Sequence, residues 1–276
     1  RFHEGVDIRP LTRDARGDPM DDVRSVSDGR VVYVNTSARA SNYGRYVVVE
    51  HDWHGARYYA LYAHLATADV YASQFVRRGE RLGRLGYTGE GIDRERAHVH
   101  FELNMLLSER FDEWMRRYSP RDRNEHGRYN GLNLAGFSPS DLYLALDRNP
   151  NLDLGAFLRQ QPEAFTVAVP GGHWLDLVRR YPWLMTQRPA SPPQAYEIAF
   201  TASGFPIRVR PLDFGATQPV VRSVAATVRR YGLATNGLLA ERGGDFTLTQ
   251  KGLRYLDLLT TPAASLGPLD TPGAWD

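Results

Sequence analysis

His98-Val99-His100-Phe101-Glu102-Leu103 (HVHFEL, residues 98–103) alternates polar and apolar side chains. A period of two is the pattern of a β-strand with one buried face. Val99 and Phe101 fall on the buried side. His98 and His100 then project into the same space on the other side, about 6.6 Å apart along the backbone. Short apolar runs of the same kind recur upstream, at residues 30–34 (RVVYV), 46–50 (YVVVE) and 57–63 (RYYALYA), bounded by Gly and polar turns. Strands this short and this closely spaced predict a mostly antiparallel β core over residues 1–107. Residues 11–22 (LTRDARGDPMDD) contain Gly17 and Pro19 and read as an exposed excursion.

Two further histidine groupings flank this strand in sequence. In residues 3–7 (HEGVD), His3 precedes Asp7 by four positions. In a straight strand that step covers roughly 13 Å, too far for two side chains to share one ion, so a bend is needed. Gly5 can supply it, because glycine tolerates dihedrals that other residues avoid. In residues 62–65 (YAHL), His64 ends an apolar run. Each grouping alone has a plainer reading: a surface His near an Asp, an exposed pair on a strand, a structural His. The chain has no cysteine, so disulfides and thiolate ligands are excluded and a metal site must be built from His, Asp or Glu. Zinc accepts imidazole nitrogen and carboxylate oxygen at about 2 Å.

The 276 residues suffice for one large domain or two modest ones. A net charge of +2 gives no strong pull toward nucleic acid, and no nucleic-acid partner is expected. Nearly all the basic residues are arginine, Lys251 being the single lysine, as coding bias would produce. No apolar run approaches the roughly 20 residues that span a bilayer. The chain opens at Arg1-Phe2-His3 without an initiator Met, which reads as a processed start from which a targeting segment has been removed.

Taken together and in this order, the groupings resemble the lysostaphin-type (LytM-like) zinc metallo-endopeptidases, which cut peptidoglycan peptides. The resemblance is carried by HEGVDI (3–8), DGRV (28–31), YGRYVVVEH (43–51), LYAHL (61–65), VRRGERLGRLGYTG (76–89) and HVHFEL (98–103), and stops near residue 107. It implies a mostly antiparallel β core with a groove. It also implies one zinc ion held by His3, Asp7 and His100, with His64 and His98 acting on water and transition state. Two neutral imidazoles and one carboxylate leave zinc a net positive charge and an open position, where a water's pKa falls toward about 7. The implied partner is peptidoglycan or another peptide, and the implied location is the cell envelope, periplasmic or secreted. Two loops depart from the family pattern. The segment 90–97 (EGIDRERA) before the His pair is charged where the family has small residues, and the 11–22 excursion is long.

The fold class expected is α+β, with the peptidase core followed by a mainly helical C-terminal region. Residues 108–150 read as a helical extension. A helix at 108–118 takes Ser108 as N-cap, and another opens at Ser138-Pro139. Residues 151–262 read as an α/β region. Within it, 219–231 is expected to be a helix capped by Gly232, followed by a hairpin at Gly243-Gly244 and a last helix, which together resemble a winged-helix module at 217–260. Residues 263–276 read as a loose tail. Docking of the C-terminal region on the peptidase groove is one expected use for it. Two other functions fit the sequence: a non-hydrolytic zinc-binding scaffold or activator of another cell-wall enzyme, and a regulatory protein with a winged-helix reader.

Overall fold

The computed structural model describes residues 5–228 and 233–262. Its first part is built on nine strands: β1 (Val6–Ile8), β2 (Asp22–Arg24), β3 (Gly29–Asn35), β4 (Tyr46–Trp53), β5 (Ala56–Ala63), β6 (Leu65–Ala68), β7 (Phe75–Val76), β8 (Arg81–Leu85) and β9 (Val99–Leu106). Strands β3, β4, β5 and β9 fall on the four runs read from the sequence, with bounds shifted by a few residues. Helix α1 (Phe111–Tyr118), strand β10 (Leu134–Phe137) and helix α2 (Pro139–Arg148) follow. The main sheet runs β1-β9-β5-β4-β3-β7, with β10 also on β9, and every pairing is antiparallel. A small sheet, β2-β8-β6, accompanies it.

Strand β9 organises the large sheet. Along one edge it pairs first with β1, through Val6↔Phe101, Asp7↔His100 and Ile8↔Val99, and then with β10, from Phe137↔Leu103 to Leu134↔Leu106. Along the other edge it pairs with β5, placing Ala63 opposite His100. The alternation read in HVHFEL is realised: Val99, Phe101 and Leu103 join the main core with Tyr62, Ala60, Val47, Val49 and Val31. Val23, Leu65, Leu82 and Leu85 of the small sheet close that core from beneath. The opposite face carries His100, Glu102 and Asn104 in file.

The remainder is α3 (Leu154–Arg159), β11 (Phe165–Pro170), α4 (Asp176–Arg180), β12 (Ala195–Phe200), β13 (Pro206–Leu212), β14 (Val220–Val224), β15 (Leu233–Ala234), β16 (Leu239–Arg242), β17 (Asp245–Leu248) and α5 (Gln250–Thr260). It is not mainly helical. A four-stranded antiparallel sheet, β13-β12-β11-β14, and a three-stranded one, β15-β16-β17, make up most of it. The helix expected from residue 219 is the strand β14. Val220, Val221 and Val224 are β-branched, and pairing on β11 outweighs the local helical reading. Residues 229–232, including the expected Gly232 cap, lie outside the described residues, as does the 263–276 tail. The Gly243-Gly244 turn joins β16 to β17 and a last helix follows, both as expected, and Thr249 caps that helix, α5, by accepting from the Gly252 amide. Ser138 caps α2 in the same way, but Ser108 does not cap α1, which starts three residues later at Phe111. Ser108 is buried, its amide donating to Asn133 Oδ1.

The C-terminal part shares the main core with the sheet rather than covering the His100 end. The Leu106 amide donates to Tyr181 Oη at 2.8 Å, and Arg180 donates to the Leu107 carbonyl at 2.6 Å. These contacts grip the far end of β9, six residues or about 20 Å from His100. The expected docking on the groove therefore has no support in these contacts.

Phe101 is buried and anchors β9 on the core face. Phe101→Ala is expected to lower stability by about 3–5 kcal/mol, the usual cost of emptying a buried aromatic site. The midpoint of guanidinium unfolding checks this.

Candidate metal centre

Asp7 and His100 face each other across the β1–β9 ladder and therefore lie on the same face. Asp7 Oδ1 stands 3.0 Å from His100 Nδ1 and 3.5 Å from His98 Nε2. The His64 ring centre lies 4.8 Å from that of His98 and 5.9 Å from that of His100. Three imidazoles and one carboxylate, drawn from positions 7, 64, 98 and 100, thus meet at one end of the sheet. His3, the remaining expected ligand, lies outside the described residues. Among the described residues no set of three or more His, Asp or Glu side chains is arranged to hold a metal by itself.

Gly5 does more than permit a bend. A Cβ there would sit 2.4 Å from the Phe101 carbonyl oxygen, so only glycine lets the chain leading into β1 approach β9 this closely.

His64 leaves β5 with φ of 62°, a left-handed conformation that a non-glycine residue seldom adopts and that costs of order 1–3 kcal/mol. Its surroundings hold it there. The His64 amide donates to the Tyr43 carbonyl at 2.9 Å, and Nδ1–H donates to the Thr88 carbonyl at 2.9 Å. Gly86 and Gly89 leave room for this turn: a Cβ on the first would come within 2.8 Å of the His64 carbonyl oxygen, and one on the second within 3.1 Å of its Nδ1. With Nδ1 protonated, Nε2 keeps the free lone pair. Burial makes the charged ring unfavourable, and the neighbouring imidazoles add to this, against opposing pulls from the Thr88 carbonyl and Asp7. The pKa is pushed down to about 4.

His98 follows the same logic. Its Nδ1–H donates to the Arg96 carbonyl at 2.7 Å, which leaves Nε2 as the lone-pair nitrogen turned toward Asp7.

His100 is held from behind by a residue that the sequence did not single out as functional. Its Nε2 lies 2.6 Å from Glu102 Oε1, and the carboxylate also accepts from Tyr43 Oη at 2.8 Å and Asn104 Nδ2 at 3.0 Å. Burial works against charge on both partners. The hydrogen bond and mutual attraction win, so His100 is shifted up and Glu102 down. A carboxylate on one ring nitrogen fixes the ring so that Nδ1 is the nitrogen presented beside Asp7, an arrangement typical of metal-binding histidines. The strand period contained this signal: Glu102 is two residues from His100 and hence on its face.

Asp7 and His100 fit as two of the ligands of a zinc ion. Two ligands each about 2 Å from a tetrahedral ion stand roughly 3.3 Å apart, close to the Asp7–His100 separation. The remaining described histidines serve the scaffold. His51 Nδ1 donates to the Asp28 carbonyl, His54 Nδ1 accepts from the Leu154 amide, His126 bonds Tyr33 Oη, and His173 Nε2 donates to the Thr260 carbonyl.

The two departures noted in sequence meet in space. Arg13 donates to the Gly17 and Arg94 carbonyls, both at 2.7 Å, while Arg94 Nε and Tyr87 Oη both bond Asp18 Oδ1, at 2.8 and 3.0 Å. The 11–22 excursion and the charged 90–97 segment therefore form one clamped rim beside His98.

Imidazoles and a carboxylate are the kinds of side chain that hold a metal in hydrolases. Residues 1–112 match the sequence model of Peptidase family M23. An uncharacterized metalloprotease of Haemophilus influenzae is 34% identical over 105 residues, which is 38% of this chain and 19% of that protein. The chain thus spans about a fifth of the length of this relative. The catalytic domain of the antimicrobial peptidase lysostaphin from Staphylococcus simulans is 23% identical, over 37% of this chain and 66% of that one, with a TM-score of 0.29. A zinc-containing peptidase from Vibrio cholerae is 24% identical, over 36% of this chain and 32% of that one, with a TM-score of 0.26. The resemblance read over residues 3–103 stands, and the family match runs a few residues past it, to residue 112.

Two measurements check the site. In metal-free protein the His64 ring is expected to titrate near pH 4 rather than 6.5, followed by its NMR Hε1 shift. Glu102→Gln is expected to weaken zinc binding by about 10–100-fold, the usual effect of losing a ligand's carboxylate partner, measured by competition with a chelator.

Proposed function

We propose that this chain is a zinc-dependent endopeptidase that hydrolyses peptidoglycan peptide cross-links at the cell envelope, periplasmic or secreted. The observation that carries the reading is the convergence of His64, His98, His100 and Asp7, with the ring nitrogens of His64 and His98 each assigned by a backbone carbonyl. The match to Peptidase family M23 over residues 1–112 supports the peptidase part. The cell-wall substrate is what the lysostaphin-type resemblance implies. No helix among the described residues is long and apolar enough to cross a membrane.

In this reading His3, Asp7 and His100 hold the zinc ion. When bound, zinc polarises the scissile carbonyl and makes a water nucleophilic near neutral pH. The protein's own groups manage the proton. Because the Nδ1 groups of His64 and His98 are donated to backbone carbonyls, Nε2 is the nitrogen left on either ring to accept the proton of the attacking water. Returned to the departing amine, that proton completes the cleavage. The other imidazole is then placed to hydrogen-bond the developing oxyanion. The Glu102 carboxylate keeps the His100 ring from rotating, and the Thr88 and Arg96 carbonyls do the same for His64 and His98.

Purified sacculi digested with and without chelator, with the released muropeptides identified by mass spectrometry, test the activity. His100→Ala is expected to lose both zinc and turnover. His98→Ala is expected to retain zinc and lose turnover by about 10²–10⁴-fold, the usual contribution of a proton-transfer residue. Full hydrolysis by either variant overturns the assignment. Bound zinc without release of any muropeptide by the wild type points instead to a scaffold.

A further inference from the structure

The face of the sheet that carries the site is not open along its length. Register places its residues in rows. Asn35, Tyr46, Ala63, His100 and Asp7 lie in the first row, Tyr33, Val48, Leu61 and Glu102 in the second, and Glu50, Tyr59 and Asn104 in the third. A peptide lying on such a face needs these rows exposed. Instead Tyr46, Val48 and Leu61 are completely buried, and Tyr59 nearly so.

What covers them is the stretch from residue 124 to Leu134, between α1 and β10, beyond the part that matches the peptidase family. Tyr129 packs on Tyr33 and Tyr59, and its carbonyl accepts from Tyr46 Oη. His126 sits edge-on against Tyr33 and Tyr46 and hydrogen-bonds Tyr33 Oη at 2.8 Å. Leu134 is buried in the same cluster. The cover reaches the site itself: a Cβ on Gly131 would lie 2.9 Å from Tyr43 Oη, the hydroxyl bonded to Glu102. It is also pinned. Fully buried Asn133 donates to the Ser108 and Arg128 carbonyls and accepts from the Ser108 amide, and its carbonyl accepts from the Leu107 amide.

We propose that residues 124–134 are a fixed wall that dead-ends the substrate groove immediately behind His100, and that this wall sets specificity. Same-face rows are about 6.6 Å apart, and the wall already covers Tyr46 in the row of His100, so at most about two residues of extended peptide fit on that side. On the other side the site opens toward His64, His98 and the rim of residues 11–22 and 90–97. The substrate class is therefore a peptide cut close to one of its ends, or at a short branch, and not in the middle of a long unbranched strand. The inference rests on the peptidase reading above.

The test uses the zinc-loaded full chain and two synthetic probes, a pentaglycine peptide and a D-alanyl cross-linked stem-peptide dimer. Each is made unextended and with five Gly-Ser residues added on the amine side, the acid side, or both. Extension on one side is expected to lower kcat/KM about tenfold or more through misplacement in the groove, and extension on the other side to leave it nearly unchanged. The doubly extended probe is expected to follow the impaired one. Fluorescence anisotropy of the labelled probes on zinc-free protein should show the same asymmetry in binding. The double variant His126→Ala with Tyr129→Ala is expected to reduce the asymmetry. The wild-type comparison decides the matter if that variant fails to fold. Equal cleavage of unextended and doubly extended probes overturns the wall while leaving the peptidase reading intact. Failure to cleave any probe or purified sacculi overturns both.

Discussion

The site depends on one register. β1 and β5 flank β9 so that Asp7, His100 and Ala63 stand in line, and His64 follows Ala63 directly. A slip of one residue would turn Asp7 or His100 to the core face, because side chains alternate strictly along a strand. The opposite face holds the register in place. Val6, Phe101 and Tyr62 are paired across the same three strands and pack into the main core. Burial on one face of the sheet thus positions polar chemistry on the other. The fit of Gly5 against the Phe101 carbonyl ties the entry of β1 to the same alignment.

Each of the three described imidazoles at the site is anchored through one ring nitrogen. His64 and His98 give their Nδ1–H groups to backbone carbonyls, and His100 gives Nε2 to a buried carboxylate. A ring fixed in this way loses little freedom when it binds a ligand or accepts a proton, which is the physical content of preorganisation. The left-handed backbone at His64 is the local cost, and the glycines at 86 and 89 provide the space that lets neighbouring bonds offset it.

Much of this was legible in the residues. The period of two in HVHFEL specified both the strand and the shared face of His98 and His100, and the resemblance supplied Asp7 and His64. Glu102 was legible in principle from the same period but was passed over, because nothing in a linear string shows that a carboxylate is buried against an imidazole. The grip of Arg13 on the Arg94 carbonyl spans 81 positions, and no local pattern encodes it. At residues 220–224 local reading failed for another reason: an amphipathic stretch of valines fits a helix face or a sheet edge, and its partner β11 lies more than fifty residues upstream. The cover at 124–134 hides behind a polar composition, its one tyrosine and two leucines being spread among Asn, Arg and Gly.

β10 lies beyond the 112 residues that match the peptidase family, yet it supplies the hydrogen-bonding partner for the second half of β9. The family segment is therefore not a free-standing module in this chain. Cut after the match, Leu103 to Leu106 would present bare amides and carbonyls along a flat apolar strand, a template for pairing with a second copy. The segment that matches the family and the unit that must fold together have different edges here, and the downstream strand completes the matched segment's sheet.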